Sequence, residues 1–447
     1  MFDALFTTTT EYQKLSHALS GKGACALFGL PASGRAQVYA ALCRQLDKPL
    51  CIVTPGEAEA TRFAADLNTL GIPAAVFPAR DYVLRPIEGT AREYEYRRLA
   101  VLGELVGGRL RAVAMPAEAL TQFTTPKEDF CANTRTLHAG DTLLRDDLLA
   151  ALFGAGYTRR AQVDGPGQFS VRGDIVDIFA PDQKMPVRME FWGDEIDTLH
   201  TFDLTTQRRE DAIDKFYLSP AREVLFGKPA DAAEQLRAFL AKQRGKKKTA
   251  MADCMAADLD LLDGGAVPVN MDKYLAVRYP HPATVLDYFD DPILVAEEPA
   301  SIREADRATD YRRGEELKSL ILDGVLCAGL DNLYADPSYL WSKTGHYRTI
   351  CAENFARSMP DQPLKDIINA PAHSLPAWNG EVAGLLEDLK PLCDAGYTVT
   401  LLAGTDRAAA GLARDLRDKG ILVTTDAAAA PAAGLVQVLA GHLSAGC

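Results

Sequence analysis

The chain has 447 residues, of which 47% are hydrophobic and 24% charged, a balance that suits a globular chain with apolar material for about three domains. Its net charge of −13 and pI of about 5.1 argue against a region whose main task is gripping duplex DNA, which would be basic. The nine cysteines never form Cys-x-x-Cys, and the seven histidines show no ligand spacing beside them, so buried thiols in a reducing cytosol are expected rather than disulfides or a zinc site. The N-terminus lacks the basic and apolar regions of a signal peptide, and no stretch reaches 18 apolar residues; the Ala-rich run at 427–433 is broken by Pro431. The expectation is a cytoplasmic protein with no membrane partner.

In residues 1–125, Ala24–Phe28 reads as a buried strand, and Gly29-Leu-Pro-Ala-Ser33-Gly34-Arg35-Ala36 leads into a helical pattern through Val38, Leu42 and Leu46. This is the strand–loop–helix setting of a phosphate-binding loop. Gly29, Ser33 and Gly34 fit, but Arg35 stands at the lysine position and Ala36 at the Ser/Thr position. A lysine ammonium is a compact charge that reaches the β- and γ-phosphates, and an arginine fork is a larger planar group. An alanine methyl cannot coordinate Mg²⁺. Residues 29–36 are therefore read as the shape of a nucleotide loop without its chemistry; weak nucleotide binding through backbone N–H groups is the competing reading. Leu50–Thr54 and Ala74–Phe77 are further strands, with helices at 57–70 and around 94–105 and a strand at 110–114, an alternation that predicts a parallel α/β sheet. Tyr82, in the short segment 78–89, is an isolated aromatic expected to be packed.

Residues 126–215 read as an inserted α+β domain. Leu143, Leu144, Leu148, Leu149 and Leu152 form a helical stripe ending at Gly154 and Gly156. From Val187 to Trp192 the residues alternate, with Val187, Met189 and Phe191 on one face of a strand and Arg188, Glu190 and Trp192 on the other. Gly193-Asp194 supplies a hairpin turn. Arg188 and Trp192 thus stand roughly 13 Å apart on one face, and Arg172 lies in a neighbouring strand. A face with two arginines, a carboxylate and a tryptophan is a candidate protein-docking surface; by chemistry alone, a merely solvated hairpin face is the commoner reading.

Residues 216–345 read as a return to the first domain. Arg244-Gly-Lys-Lys-Lys248 is a basic run that reads either as a DNA contact or, more commonly, as a solvated helix end. Ile293–Pro299 is an apolar strand ending in Glu297 and Glu298, the layout of a Walker B element, here read as remnants rather than Mg²⁺ partners. A connector helix is expected at 300–324. Residues 346–447 read as a small third α/β domain, with strands at 397–402 and 421–424 and a helix through Ala409, Leu412 and Leu416.

Three stretches carry a family resemblance: Leu-Phe-Gly-Ala-Gly-Tyr-Thr-Arg (152–159), Val-Asp-Gly-Pro-Gly-Gln-Phe-Ser-Val-Arg-Gly-Asp-Ile-Val-Asp-Ile-Phe-Ala-Pro (163–181) and Arg-Met-Glu-Phe-Trp-Gly-Asp-Glu-Ile-Asp (188–197). They resemble the second domain of the UvrB and transcription-repair coupling factor family. The order of elements in 1–125 is similar to the first domain of that family. The long aromatic DNA-entering hairpin of UvrB is missing after the strand at Val76, and with Arg35 and Ala36 this favours the coupling-factor branch. The resemblance implies recruitment of UvrA through Arg172, Arg188 and Trp192, where relatives often carry Phe in place of the Trp. It implies RNA polymerase and DNA as partners of a C-terminal half, and ATP and Mg²⁺ as cofactors of a motor there, with no cofactor and no enzymatic activity in the present chain. The pattern at 434–447 reads as a strand and turn that continue in the family, so a fragment ending at Cys447 is expected. The competing functions are a UvrB-type ATP-dependent helicase and a free-standing UvrA-binding adaptor. The expected fold is a P-loop-like parallel sheet with a degenerate nucleotide loop, interrupted by a small α+β domain and followed by a second small α/β domain.

Overall fold

A computed structural model describes residues 7–87, 92–356, 362–372, 375, 382–427 and 429–446. Cys447 and Gly89 lie outside these. Only helices of nine or more residues are numbered below.

The apolar runs of the first third fold as expected. Helix α1 (Thr10–Ala18) precedes β1 (Gly23–Phe28), α2 (Ala32–Leu46), β2 (Leu50–Thr54), α3 (Glu57–Thr69), β3 (Ala74–Val76), α4 (Glu93–Val106) and β4 (Ala112–Pro116). These four strands lie in a seven-stranded sheet whose pairings are all parallel. Alternate side chains of each strand enter opposite cores: Leu50 and Ile52 pack with α2 and α3, while Cys51 and Val53 face Leu99 and Leu102 of α4. A parallel sheet covered on both faces explains why its strands read as continuous apolar runs. Tyr82 is packed, its hydroxyl donating to the Phe123 carbonyl at 2.7 Å.

The insertion begins with β5 (Arg135–His138) and α5 (Arg145–Gly154). Strands β6 (Thr158–Arg159), β7 (Gln168–Arg172), β8 (Ile175–Phe179), β9 (Val187–Trp192), β10 (Glu195–Phe202) and β11 (Arg209–Ala212) form a second sheet in the order β11-β10-β9-β8-β7-β6. Two hairpins in it are closed by Gly173-Asp174 and Gly193-Asp194, and the glycines take φ of 61° and 63°, values that an L side chain rarely adopts. Strand β12 (Lys215–Leu218) then pairs with β5 to form the two-stranded stalk of the insertion. Leu148 and Leu152 of α5 are fully buried against the sheet, whereas Leu144 of the predicted stripe is half exposed.

After the insertion come α6 (Pro229–Ala241), α7 (Gly245–Asp263), β13 (Ile293–Glu297), α8 (Pro299–Leu322), β14 (Arg348–Glu353) and β15 (Leu364–Asn369). The large sheet has the order β15-β1-β14-β13-β2-β4-β3. This corrects the boundary expected at 345/346: β14 and β15 flank β1 and belong to the first sheet. The edge strand β15 exposes alternate and intervening residues alike and fully buries only Ile368, so its sequence carries no alternation to read. The third sheet is smaller. It orders β16 (Val399–Ala403), β18 (Val436–Ala440) and β17 (Val423–Thr424), with α9 (Val382–Asp394) and α10 (Asp406–Asp418) around it. It is tied to α3 by Ser444, whose N–H and hydroxyl reach the two carboxylate oxygens of Asp66 at 2.8 and 2.6 Å. No described helix is long and apolar enough to cross a membrane.

The segments meet at a buried ionic network. Arg98 of α4 is completely buried and grips Glu223 with Nε at 2.6 Å and Nη2 at 3.2 Å. Arg80 reaches Glu223 at 3.2 Å and Asp272 at 2.7 Å. Glu95 accepts the Glu223 N–H at 3.0 Å and pairs with Arg92 at 2.8 Å. Burial opposes ionisation of Glu95, but Arg80, Arg222 and Arg92 outweigh it and draw the carboxyl down to about 2. Because this folded value lies below the ordinary 4.5, the stability contributed by Glu95 is present above that pH and is lost as pH falls toward 2. Glu223→Gln leaves Arg98 and Arg80 buried without their shared anion and is expected to cost about 3–5 kcal/mol in urea unfolding at neutral pH. A loss under about 1 kcal/mol would show that the network is not structural.

Candidate functional site

The nucleotide-loop region is built as expected in outline. Strand β1 ends at Phe28, Gly29 turns the chain at φ 90°, and α2 starts after Pro31. A Cβ on Gly29 would stand 2.9 Å from the Ala370 carbonyl oxygen, so the segment after β15 lies against the loop. Ala372 N–H donates to the Gly29 carbonyl at 3.1 Å. Ser33 is fully buried, and its hydroxyl has no partner among the described residues.

Arg35 turns inward rather than toward a ligand. Its guanidinium pairs with Glu297 at 2.8 Å and Glu298 at 3.2 Å, and donates to the Leu30 carbonyl and Asn354 Oδ1, each at 3.0 Å. The Tyr39 hydroxyl donates to Glu297 at 2.5 Å. Arg35 and Glu297 are only 3% and 1% exposed. A buried, already neutralised cation cannot take up a phosphate without breaking this pair, and Ala36 offers no metal ligand, so these residues do not fit a nucleotide with Mg²⁺. Glu297 and Glu298, read from the sequence as remnants, are the anions that hold Arg35. That pairing joins β13 and α2 across the sheet, and no local pattern signals it.

The second candidate is the solvent face of the six-stranded sheet. Burial along β9 alternates as predicted: Val187, Met189 and Phe191 are buried and Trp192 is 82% exposed. Cross-strand register places Arg172 opposite Ile175, Ile175 opposite Glu190, and Glu190 opposite Thr198. Phe191 N–H donates to the Asp174 carbonyl at 2.9 Å, so Trp192 stands beside the Gly173-Asp174 turn, at the same end of the sheet as Arg172. Arg172 is exposed.

Arg188 differs from the expectation. Its Nε and Nη2 donate to the two oxygens of Asp177 at 2.7 and 2.9 Å, Nη1 donates to the Gln207 carbonyl at 3.2 Å, and its guanidinium lies 4.8 Å over Phe202. Asp177 is 1% exposed. The fork that was to pair a partner's carboxylate is thus already used within the sheet, because Asp177 stands directly opposite on β8. Sequence reading also missed Ile175, a half-exposed apolar residue between Arg172 and Glu190, and Arg209, which pairs with Glu190. The two-residue Gly173-Asp174 turn fixes the β7–β8 register and could have revealed Ile175.

Comparison with known proteins places the six-stranded sheet within a matched family. Residues 136–224 match the family described as the UvrB interaction domain. The chain is 25% identical over 432 residues to a transcription-repair-coupling factor of Bacillus subtilis, covering 94% of this chain and 36% of that relative. Shorter matches to proteins of the same name reach 35% identity over 208 residues in Myxococcus xanthus, covering 44% of this chain and 17% of the relative, and 33% over 283 residues in Mycobacterium bovis, covering 61% and 22%. Residues 136–224 are thus similar to the UvrB interaction domain family. Over nearly its whole length it is similar to transcription-repair-coupling factors, and it spans 36% of the Bacillus subtilis relative.

Burial pushes the Glu297 carboxyl up to about 7, against the opposing pull of Arg35 and the Tyr39 hydrogen bond. A folded value above the ordinary 4.5 means that stability falls as pH rises from there through the folded value. Arg35→Ala removes the cation and raises that folded value further. The variant is expected to lose about 3 kcal/mol or more, with a larger deficit at alkaline than at mildly acidic pH. Equal deficits at both pH values in urea melts would refute the pairing.

Proposed function

We propose that this chain is the N-terminal, UvrB-like part of a transcription-repair-coupling factor and recruits UvrA to sites of stalled transcription for excision repair. The observation that carries the reading is Trp192, 82% exposed on the β9–β10 hairpin within the residues that match the UvrB interaction domain. A large aromatic held out in water has no folding reason to be there and is the kind of side chain that anchors protein interfaces. Arg172 beside it supplies an exposed fork for a carboxylate. Arg188 acts as a positioning residue, tying β9 to β8 through Asp177.

The same reading assigns no ATP turnover to this stretch, since Arg35 is occupied by Glu297 and Glu298. ATP, Mg²⁺, RNA polymerase and the main DNA contacts belong, on this proposal, to further parts of the full-length protein. The UvrB-type helicase reading requires a free loop cation, and Arg35 is not one.

Trp192→Ala is expected to weaken UvrA binding about 30-fold, corresponding to about 2 kcal/mol, in calorimetric or interferometric titration. Arg172→Ala should give a smaller loss without a change in melting temperature. Arg188→Ala should lower both affinity and melting temperature, and Asp177→Asn should reproduce it. Affinity indifferent to both Trp192 and Arg172 would remove this face from the interaction, and ATP turnover abolished by Arg35→Ala would revive the helicase.

A further inference from the structure

Lys242, Arg244, Lys246, Lys247 and Lys248 lie within seven residues at the tip of the helical hairpin formed by α6 and α7. All five are exposed, and none takes part in an ion pair among the described residues. From Gln235 to Ala252 the sequence has no carboxylate at all, in a chain whose net charge is −13. Asp331, whose Oδ1 accepts the Gly329 N–H at 2.8 Å, forms no ion pair with any of the five among the described residues.

The position of the lysines is unfavourable for the fold. Lys246, Lys247 and Lys248 occupy the first turn of α7, which holds no acidic residue and has no side-chain cap on Arg244. Cations at a helix N-terminus oppose the macrodipole, so each destabilises α7. Their concentration there is not explained by local stability. Lys247 bends back over Gly329, where an added Cβ would stand 3.2 Å from its Nζ.

The kind of partner follows from what the tip lacks. Every residue from 244 to 250 is exposed and no large hydrophobic side chain stands among them; the nearest exposed one along α7 is Leu261 at its far end. A protein interface needs apolar or aromatic anchors in its centre. Single-stranded nucleic acid is held largely by stacking on aromatic rings. A purely cationic surface matches instead the phosphates of a duplex, where charge neutralisation and counterion release supply the affinity without base contacts. We propose that the α6–α7 tip is a sequence-independent contact for the phosphate backbone of double-stranded DNA. The site is separate from the Trp192 face and does not depend on the UvrA reading.

The test measures fluorescence anisotropy of a labelled duplex of about 20 base pairs with the full chain, between roughly 50 and 200 mM NaCl. The variant is Arg244→Gln/Lys246→Gln/Lys248→Gln, which leaves Lys247 in its packed position. Wild type is expected to bind with a steep salt dependence. The variant should bind at least tenfold more weakly at the lower salt, with the slope of log K against log salt reduced by about 0.9 for each phosphate no longer neutralised. Removing cations from the α7 N-terminus should leave the melting temperature unchanged or raised, so weaker binding is not attributable to unfolding. Equal affinity and slope in the variant would overturn the proposal. So would tighter binding of poly-glutamate or of a single-stranded oligonucleotide than of the duplex. No UvrA is present, so failure here leaves the Trp192 reading untouched.

Discussion

Buried charge must be paired where it stands, and in this molecule that constraint falls on Arg98 and Glu223. Arg98 is fully enclosed, with its guanidinium 4.2 Å over Phe77 and both faces of its fork used by Glu223 and the Gln122 and Pro78 oxygens. An uncompensated ion at this depth would cost several kcal/mol, so α4, the 78–83 segment, residue 223 and Asp272 have to assemble together. The point of assembly is also where the inserted domain leaves and returns. Thr125 donates to the Glu223 carbonyl at 2.5 Å, and Tyr279 donates to the same oxygen at 3.2 Å. The six-stranded sheet is thereby held by both ends of its connection to the parallel sheet, so its solvent face is carried on a fixed base.

The same rule separates structural charges from those available for recognition. Arg35 and Arg188 each have their forks filled by carboxylates of this chain, Glu297 and Glu298 in one case and Asp177 in the other. A nucleotide loop whose cation is internally neutralised becomes a clamp between α2, β13 and the start of α8. Its glycine remains because Ala370 and Pro371 crowd the turn, a packing requirement rather than a phosphate requirement. Trp192, Arg172 and the cationic hairpin tip are instead exposed and without an ion pair among the described residues, and the two proposals rest on them for that reason. The two regions carry different chemistry, aromatic and apolar on the sheet and ionic on the hairpin. They suit different classes of partner.

Much of this was legible in the amino-acid sequence because the signals are local. The continuous apolar runs at 24–28 and 50–54 specify strands covered on both faces, and alternation at 187–192 specifies which side of β9 meets water. Gly193-Asp194 specifies a turn because the glycine must take positive φ. The replacement of the loop lysine and hydroxyl by Arg35 and Ala36 is a loss of chemistry visible without coordinates. The tertiary structure alone decided which arginines are free, since Asp177 and Glu297 come from other strands and a carboxylate's partner is set by distance in space rather than in sequence. It also decided that β14 and β15 join the first sheet, because a short edge strand such as 364–369 leaves most of its side chains in water and acquires its identity only from the backbone hydrogen bonds that β1 offers it.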